Sequence, residues 1–149
     1  MTKLSVNINK VATLRNARGG DYPNLIEFAK KCHEYGADGI TIHPRPDQRH
    51  IRFTDVEDLS KIFPTEDCEF NIEGYPTQHF IEMVLKNKPT QVTLVPDPPD
   101  VLTSDSGWDT IEQEEFLKPI VKKFQSEGIR VSLFMDTDIQ MIEHVKKIG

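Results

Sequence analysis

The sequence predicts an α/β fold: a parallel sheet of five strands, most economically rolled into a barrel with helices outside and a polar pocket inside. Three observations predict it. Strand and helix patterns alternate five times along 149 residues. One face of the strands is apolar and the other mostly polar, whereas a parallel sheet covered by helices on both sides is apolar on both. One strand also runs directly into a loop carrying His43, Arg45, Arg49 and His50. A strand end with an acid–base group and cations just beyond it is where α/β sheets place their chemistry.

The strands are expected at 4–9, 39–43, 69–73, 91–96 and 130–136. Period-two alternation sends Val6, Ile40, Ile42, Phe70, Val92 and Leu133 to the helix-packed face. The opposite face carries Asn7, Thr41, His43, Asn71, Glu73 and Thr93. Pro23 opens the first helix, Leu25, Phe28, Ala29 and Cys32 form its stripe, and Gly36 closes it. Thr54 to Glu57 read as a capping box ahead of Val56, Leu59 and Phe63. Thr77 precedes the stripe Phe80, Ile81, Val84 and Leu85, with Pro89 as the stop. Phe116, Ile120, Val121 and Phe124 make the fourth stripe; Pro119 within it predicts a kink or a late start. Thr137 precedes Ile139, Ile142, Val145 and Ile148. Five units of this length fit a barrel or a flavodoxin-like doubly wound sheet, and periodicity alone leaves both open.

Composition narrows the function. Eighteen basic against 24 acidic residues give a net charge of −6, the wrong sign for nonspecific binding to nucleic acid or to an anionic membrane. No stretch approaches the ~18 apolar residues of a membrane span. The first strand begins almost at Met1, which leaves no room for a leader, and a cytoplasmic protein is expected. Cys32 and Cys68 fit no pairing or metal motif and read as small core hydrophobes in a reducing compartment.

His43 and Glu73 each end the polar face of a neighbouring strand. Histidine titrates near neutrality and a buried glutamate can be raised toward it, so the pair suits proton transfer. Arg15 and Arg18, followed by Gly19 and Gly20, read equally as a basic loop able to hold a small phosphate or carboxylate and as a plain solvated basic loop. Thr103 and Ser104 can cover the mouth as hydroxyl donors, while Trp108 fits a packed turn. His33, His79 and His144 read as ordinary helix residues, and no metal-ligand spacing includes His43 or His50.

Val6-Asn-Ile-Asn-Lys-Val-Ala-Thr-Leu-Arg-Asn-Ala-Arg-Gly19 and Gly36-Ala-Asp-Gly-Ile-Thr-Ile-His-Pro-Arg-Pro-Asp-Gln-Arg-His-Ile51 strongly resemble the signatures of the pyridoxine 5′-phosphate synthase family. Phe70-Asn-Ile-Glu73, Val92-Thr-Leu-Val-Pro96 and Val131-Ser-Leu-Phe134 resemble it too, so the likeness covers essentially the whole chain. The resemblance implies a TIM (β/α)8 barrel of which this chain supplies the first five βα units. It implies a ring-forming transferase that joins 1-deoxy-D-xylulose 5-phosphate to 3-amino-2-oxopropyl phosphate, giving pyridoxine 5′-phosphate, phosphate and water. No cofactor and no metal are implied, and a homo-oligomer is expected. By the same resemblance His43 and Glu73 are the acid–base residues, Asn7 and Arg18 hold the amino-ketone phosphate, and Arg45, His50 and Thr103 hold the deoxyxylulose phosphate. The family often has Asp-His where this chain has Asn9-Lys10. It also continues for further βα units bearing a second glutamate, a histidine acid and a closing phosphate loop, so these 149 residues alone are expected to be inactive. The alternative reading is a flavodoxin-like phosphate-binding module without catalysis, which would order its strands 2-1-3-4-5.

Overall fold

The structure is a computed structural model and describes residues 2–97 and 106–149. Strands β1 (Ser5–Asn7), β2 (Gly39–Ile42), β3 (Glu69–Gly74), β4 (Gln91–Leu94) and β5 (Arg130–Leu133) are all parallel. They lie side by side in sequence order, β1-β2-β3-β4-β5, which excludes the doubly wound order. Around them run α1 (Asn9–Ala17), α2 (Leu25–Glu34), α3 (Phe53–Ser60), α4 (Gln78–Asn87), α5 (Glu114–Ser126) and α6 (Ile139–Ile148). Among the described residues no helix is long and apolar enough to cross a membrane.

The apolar face is where alternation puts it. Ile40, Ile42, Phe70, Ile72, Val92 and Leu94 are fully buried, packed with Leu59, Val84 and Phe124 from the helices. Leu4 is the exception: it precedes β1 and is 59 % exposed. The polar face is joined laterally. Ser5 Oγ and Thr41 Oγ1 lie 2.7 Å apart, Asn71 Nδ2 donates to Thr41 Oγ1 at 3.3 Å, and Thr93 Oγ1 donates to Asn71 Oδ1 at 3.0 Å. Gln91 also donates to Asn71 and accepts from Arg130, which grips Glu69. Strand register explains the chain of contacts: Asn7, Thr41, Asn71, Gln91 and Arg130 stand level across the sheet.

Several local expectations are corrected. The segment after β1 is a helix, α1, where a basic loop is expected; its N-cap Ile8 offers no side-chain acceptor, and its inward positions are Ala12 and Arg15. An arginine on the buried side erases the apolar stripe by which such a helix is recognised. Helix α3 starts before the Thr54 box: the Asp55 carboxylate accepts from the Arg52 N–H at 2.7 Å, and Thr54 lies inside the helix. Asp138, not Thr137, caps α6 by accepting from the N–H groups of Gln140 and Met141. Helix α5 runs through Pro119. Thr77 caps α4 as expected, accepting from the Phe80 N–H at 3.2 Å.

Candidate active site

Three strand ends are tied together by a short relay. The Asn7 side chain, last in β1, donates through Nδ2 to Glu73 Oε2 at 3.3 Å. Its Oδ1 accepts from the Asn9 N–H at 3.0 Å, and Asn9 Oδ1 in turn accepts from the His43 N–H at 2.9 Å. The relay holds the first residue beyond β2 and the penultimate residue of β3 to the end of β1. Asn9 thus acts as the acceptor for the His43 backbone. Glycine follows Glu73 for a steric reason: a Cβ at Gly74 would collide with the Phe80 ring of α4.

Burial sets the charge of both acid–base groups. His43 is pushed down to about 3, first by desolvation and then by Arg45, His50 and Arg49. Its ring is therefore held in the neutral form at ordinary pH. Burial raises the Glu73 carboxyl above the usual glutamate range, which brings its protonated form closer to neutrality. The two environments therefore push an acid and a base toward their uncharged forms, a pattern found at sites of proton transfer.

The cations stand on the loop after β2. Arg45 is 6 % exposed, its guanidinium 3.6 Å from the equally buried Asp97 beyond β4. Among the described residues Asp97 Oδ2 has no hydrogen-bond partner. Arg49 pairs with Asp47 at 2.7 Å. The His50 ring centroid is 6.1 Å from that of His43. His50 Nδ1 accepts from the Ile51 N–H at 2.9 Å, so its neutral ring carries the proton on Nε2 and presents a donor. Burial, then Arg45 and Arg49, lower its pKa. Beside this cluster lies a cleft walled by His43, Arg45, Tyr75, Phe80 and Asp97.

The structure thus gathers Asn7, His43, Arg45, His50 and Glu73. Arg18 caps α1 at an exposed position, and no side-chain contact among the described residues ties it to the cluster. Thr103 and Ser104 lie outside the described residues. Arg15 is a correction: its guanidinium is 4 % exposed and grips Asp55 through both nitrogens at 2.7 and 2.8 Å, so it serves the fold and not an anion. The remaining histidines pair locally, His33 with Phe63 and Asp67, His79 with Phe53, His144 with Glu114. Cys68 is buried and Cys32 partly so; both are free thiols raised by burial. Trp108 is packed, donating to the Leu94 carbonyl at 2.8 Å and stacking on Tyr75. Sequence reasoning missed Asn9 and Asp97 as partners of His43 and Arg45. Their sequence signal is position on the polar side just beyond a strand, Asn9 two residues past β1 and Asp97 three past β4.

Comparison with known proteins gives the same direction. The model of the family described as pyridoxal phosphate biosynthesis protein PdxJ matches residues 4–149. Proteins named pyridoxine 5′-phosphate synthase from Bacteroides thetaiotaomicron and Christiangramia forsetii are 60 % and 56 % identical over all 149 residues. One from Cytophaga hutchinsonii is 56 % identical over the same span. The chain covers 62 %, 62 % and 61 % of those three relatives' own lengths.

Proposed function

The chain belongs to the PdxJ family, and from that premise we propose that it carries part of the active site of a pyridoxine 5′-phosphate synthase. The reaction condenses 1-deoxy-D-xylulose 5-phosphate with 3-amino-2-oxopropyl phosphate. The sheet is read as the first five strands of a (β/α)8 barrel; the sequential strand order and the polar inner face support this.

The observation that carries the functional reading is the relay Glu73–Asn7–Asn9–His43 at the strand ends, with Arg45 and His50 beside it. Joining an amine to a ketone, expelling water and phosphate, and closing an aromatic ring are all proton-transfer steps. By family likeness His43 and Glu73 are assigned as the acid–base residues of these steps; burial holds the His43 ring neutral and raises the Glu73 carboxyl. Arg45 offers a guanidinium fork and His50 an Nε2–H, donors matched to the phosphate of the deoxyxylulose substrate. Arg18 and Asn7 are assigned to the amino-ketone phosphate by family likeness, and Thr103 to the deoxyxylulose phosphate.

The test is a steady-state assay of the full-length protein carrying this sequence, with both substrates supplied. Wild type should form pyridoxine 5′-phosphate. Glu73→Gln keeps the size and the acceptor for Asn7 but removes the ionisable carboxyl, so kcat should fall about 10²–10⁴-fold with the fold intact. Near-wild-type turnover in the variant would remove Glu73 from the chemistry.

A further inference from the structure

The loop that bears Arg45, Arg49 and His50 contains a strained residue. Gln48 has φ +51°, a left-handed conformation without the freedom of glycine. It closes a tight turn in which its N–H donates to the Arg45 carbonyl at 2.9 Å. Such a conformation persists only where surrounding contacts over-determine it. Gln48 Oε1 accepts from the Phe53 N–H at the start of α3 at 3.0 Å, and the backbone of the turn is held from α1. The Asn16 amide donates to three successive carbonyls, those of Gln48 at 3.4 Å, Arg49 at 3.2 Å and His50 at 2.8 Å. Asn16 is itself oriented: its Oδ1 accepts from Arg15 Nε and Nη2 at 3.2 and 3.1 Å. Arg15 is fixed in turn by its two bonds to Asp55 and one to the His50 carbonyl.

We propose that Asn16 is a positioning residue for phosphate recognition: held by Arg15, it locks the left-handed turn at Gln48 and so presents Arg45 and His50 together to one phosphate. This rests on the reading of Arg45 and His50 as the deoxyxylulose phosphate site. The reason such a clamp serves binding is entropic and directional. Anion donors on a loose loop must be ordered at the moment of binding, whereas donors on a pre-set turn need not be. Pulling three carbonyls toward α1 also keeps their negative ends away from the anion. The Ile51 N–H then meets His50 Nδ1 and leaves Nε2–H as the outward donor.

Asn16 is the right residue to change, because cutting the buried Arg15–Asp55 pair would leave an uncompensated charge and unfold the region. In the full-length protein, Asn16→Ala should raise KM for 1-deoxy-D-xylulose 5-phosphate about tenfold, the scale of one lost buried hydrogen bond, and change kcat much less. Gln48→Gly relaxes the left-handed residue but also removes the acceptor for the Phe53 N–H, so with Gln48→Gly alone as the reference the double variant should recover a good part of that loss in KM. Should Asn16→Ala fail to fold, Asn16→Ser replaces it in the same comparison. A folded variant with lower thermal stability and an unchanged KM would make Asn16 merely structural and overturn the proposal, as would a double variant no better than Asn16→Ala. Failure of wild type to saturate with this substrate would instead strike the phosphate-site reading itself.

Discussion

Midway along the polar face, Ser5, Thr41, Asn71 and Thr93 pass hydrogen bonds from strand to strand, and Gln91 carries the chain on to Arg130. Toward the strand ends the same face carries Glu73, level with Thr93, and, beyond β2, His43, with Asp97 past the end of β4. The first layer contains amides and hydroxyls that satisfy one another. The second contains ionisable groups held by single backbone or amide contacts, with a raised carboxyl, a depressed imidazole and an unbonded carboxylate oxygen. Both layers are polar, yet neutral groups that bond one another specify a fold, while titratable groups shifted by burial are the kind gathered at sites of proton transfer. The difference teaches that polarity inside a sheet is informative only once its partners are counted.

The sharpest way to break this comparison is at the strand-end cations. Arg45→Ala should weaken binding of 1-deoxy-D-xylulose 5-phosphate by roughly 10–100-fold, the scale of a lost charge-assisted hydrogen bond, and stability should change less. Substrate titration in steady state would read it; unchanged KM and kcat would remove Arg45 from the site. In the middle layer the expectation reverses. Asn71→Ala leaves Thr41, Thr93 and Gln91 short of a partner, so unfolding free energy should drop by about 1–3 kcal/mol with substrate KM little altered. A urea midpoint that does not move would show that the lateral chain of contacts is dispensable.

How much of this was legible in the sequence divides along the same line. The five strands, the helices α2 to α6 and the polar face follow from alternation and spacing, because those patterns are local, although of the stripe expected on α6 only Ile148 is buried while Ile139 and Ile142 are exposed. Helix α1 was hidden because Arg15 occupies its buried side. Arg15 and Arg18 look alike in sequence; only the fold reveals that Asp55, forty residues away, neutralises the first. His43 and Glu73 were readable as the ends of polar strand faces. Asn9, Asn16 and Asp97 were not, since their importance lies in atoms of other segments that they hold.

The central claim is that burial shifts the strand-end groups, raising the Glu73 carboxyl and, with the neighbouring cations, holding the His43 ring neutral. It is tested most directly by following the His43 imidazole by nuclear magnetic resonance as pH is lowered. The ring should stay neutral through its ordinary value of 6.5 and gain a proton only toward about 3. Because the folded-state value is depressed, the corresponding contribution to stability is present above 6.5 and declines as pH falls from there toward 3. A His43 resonance that titrates near 6.5 in the folded protein would contradict the account.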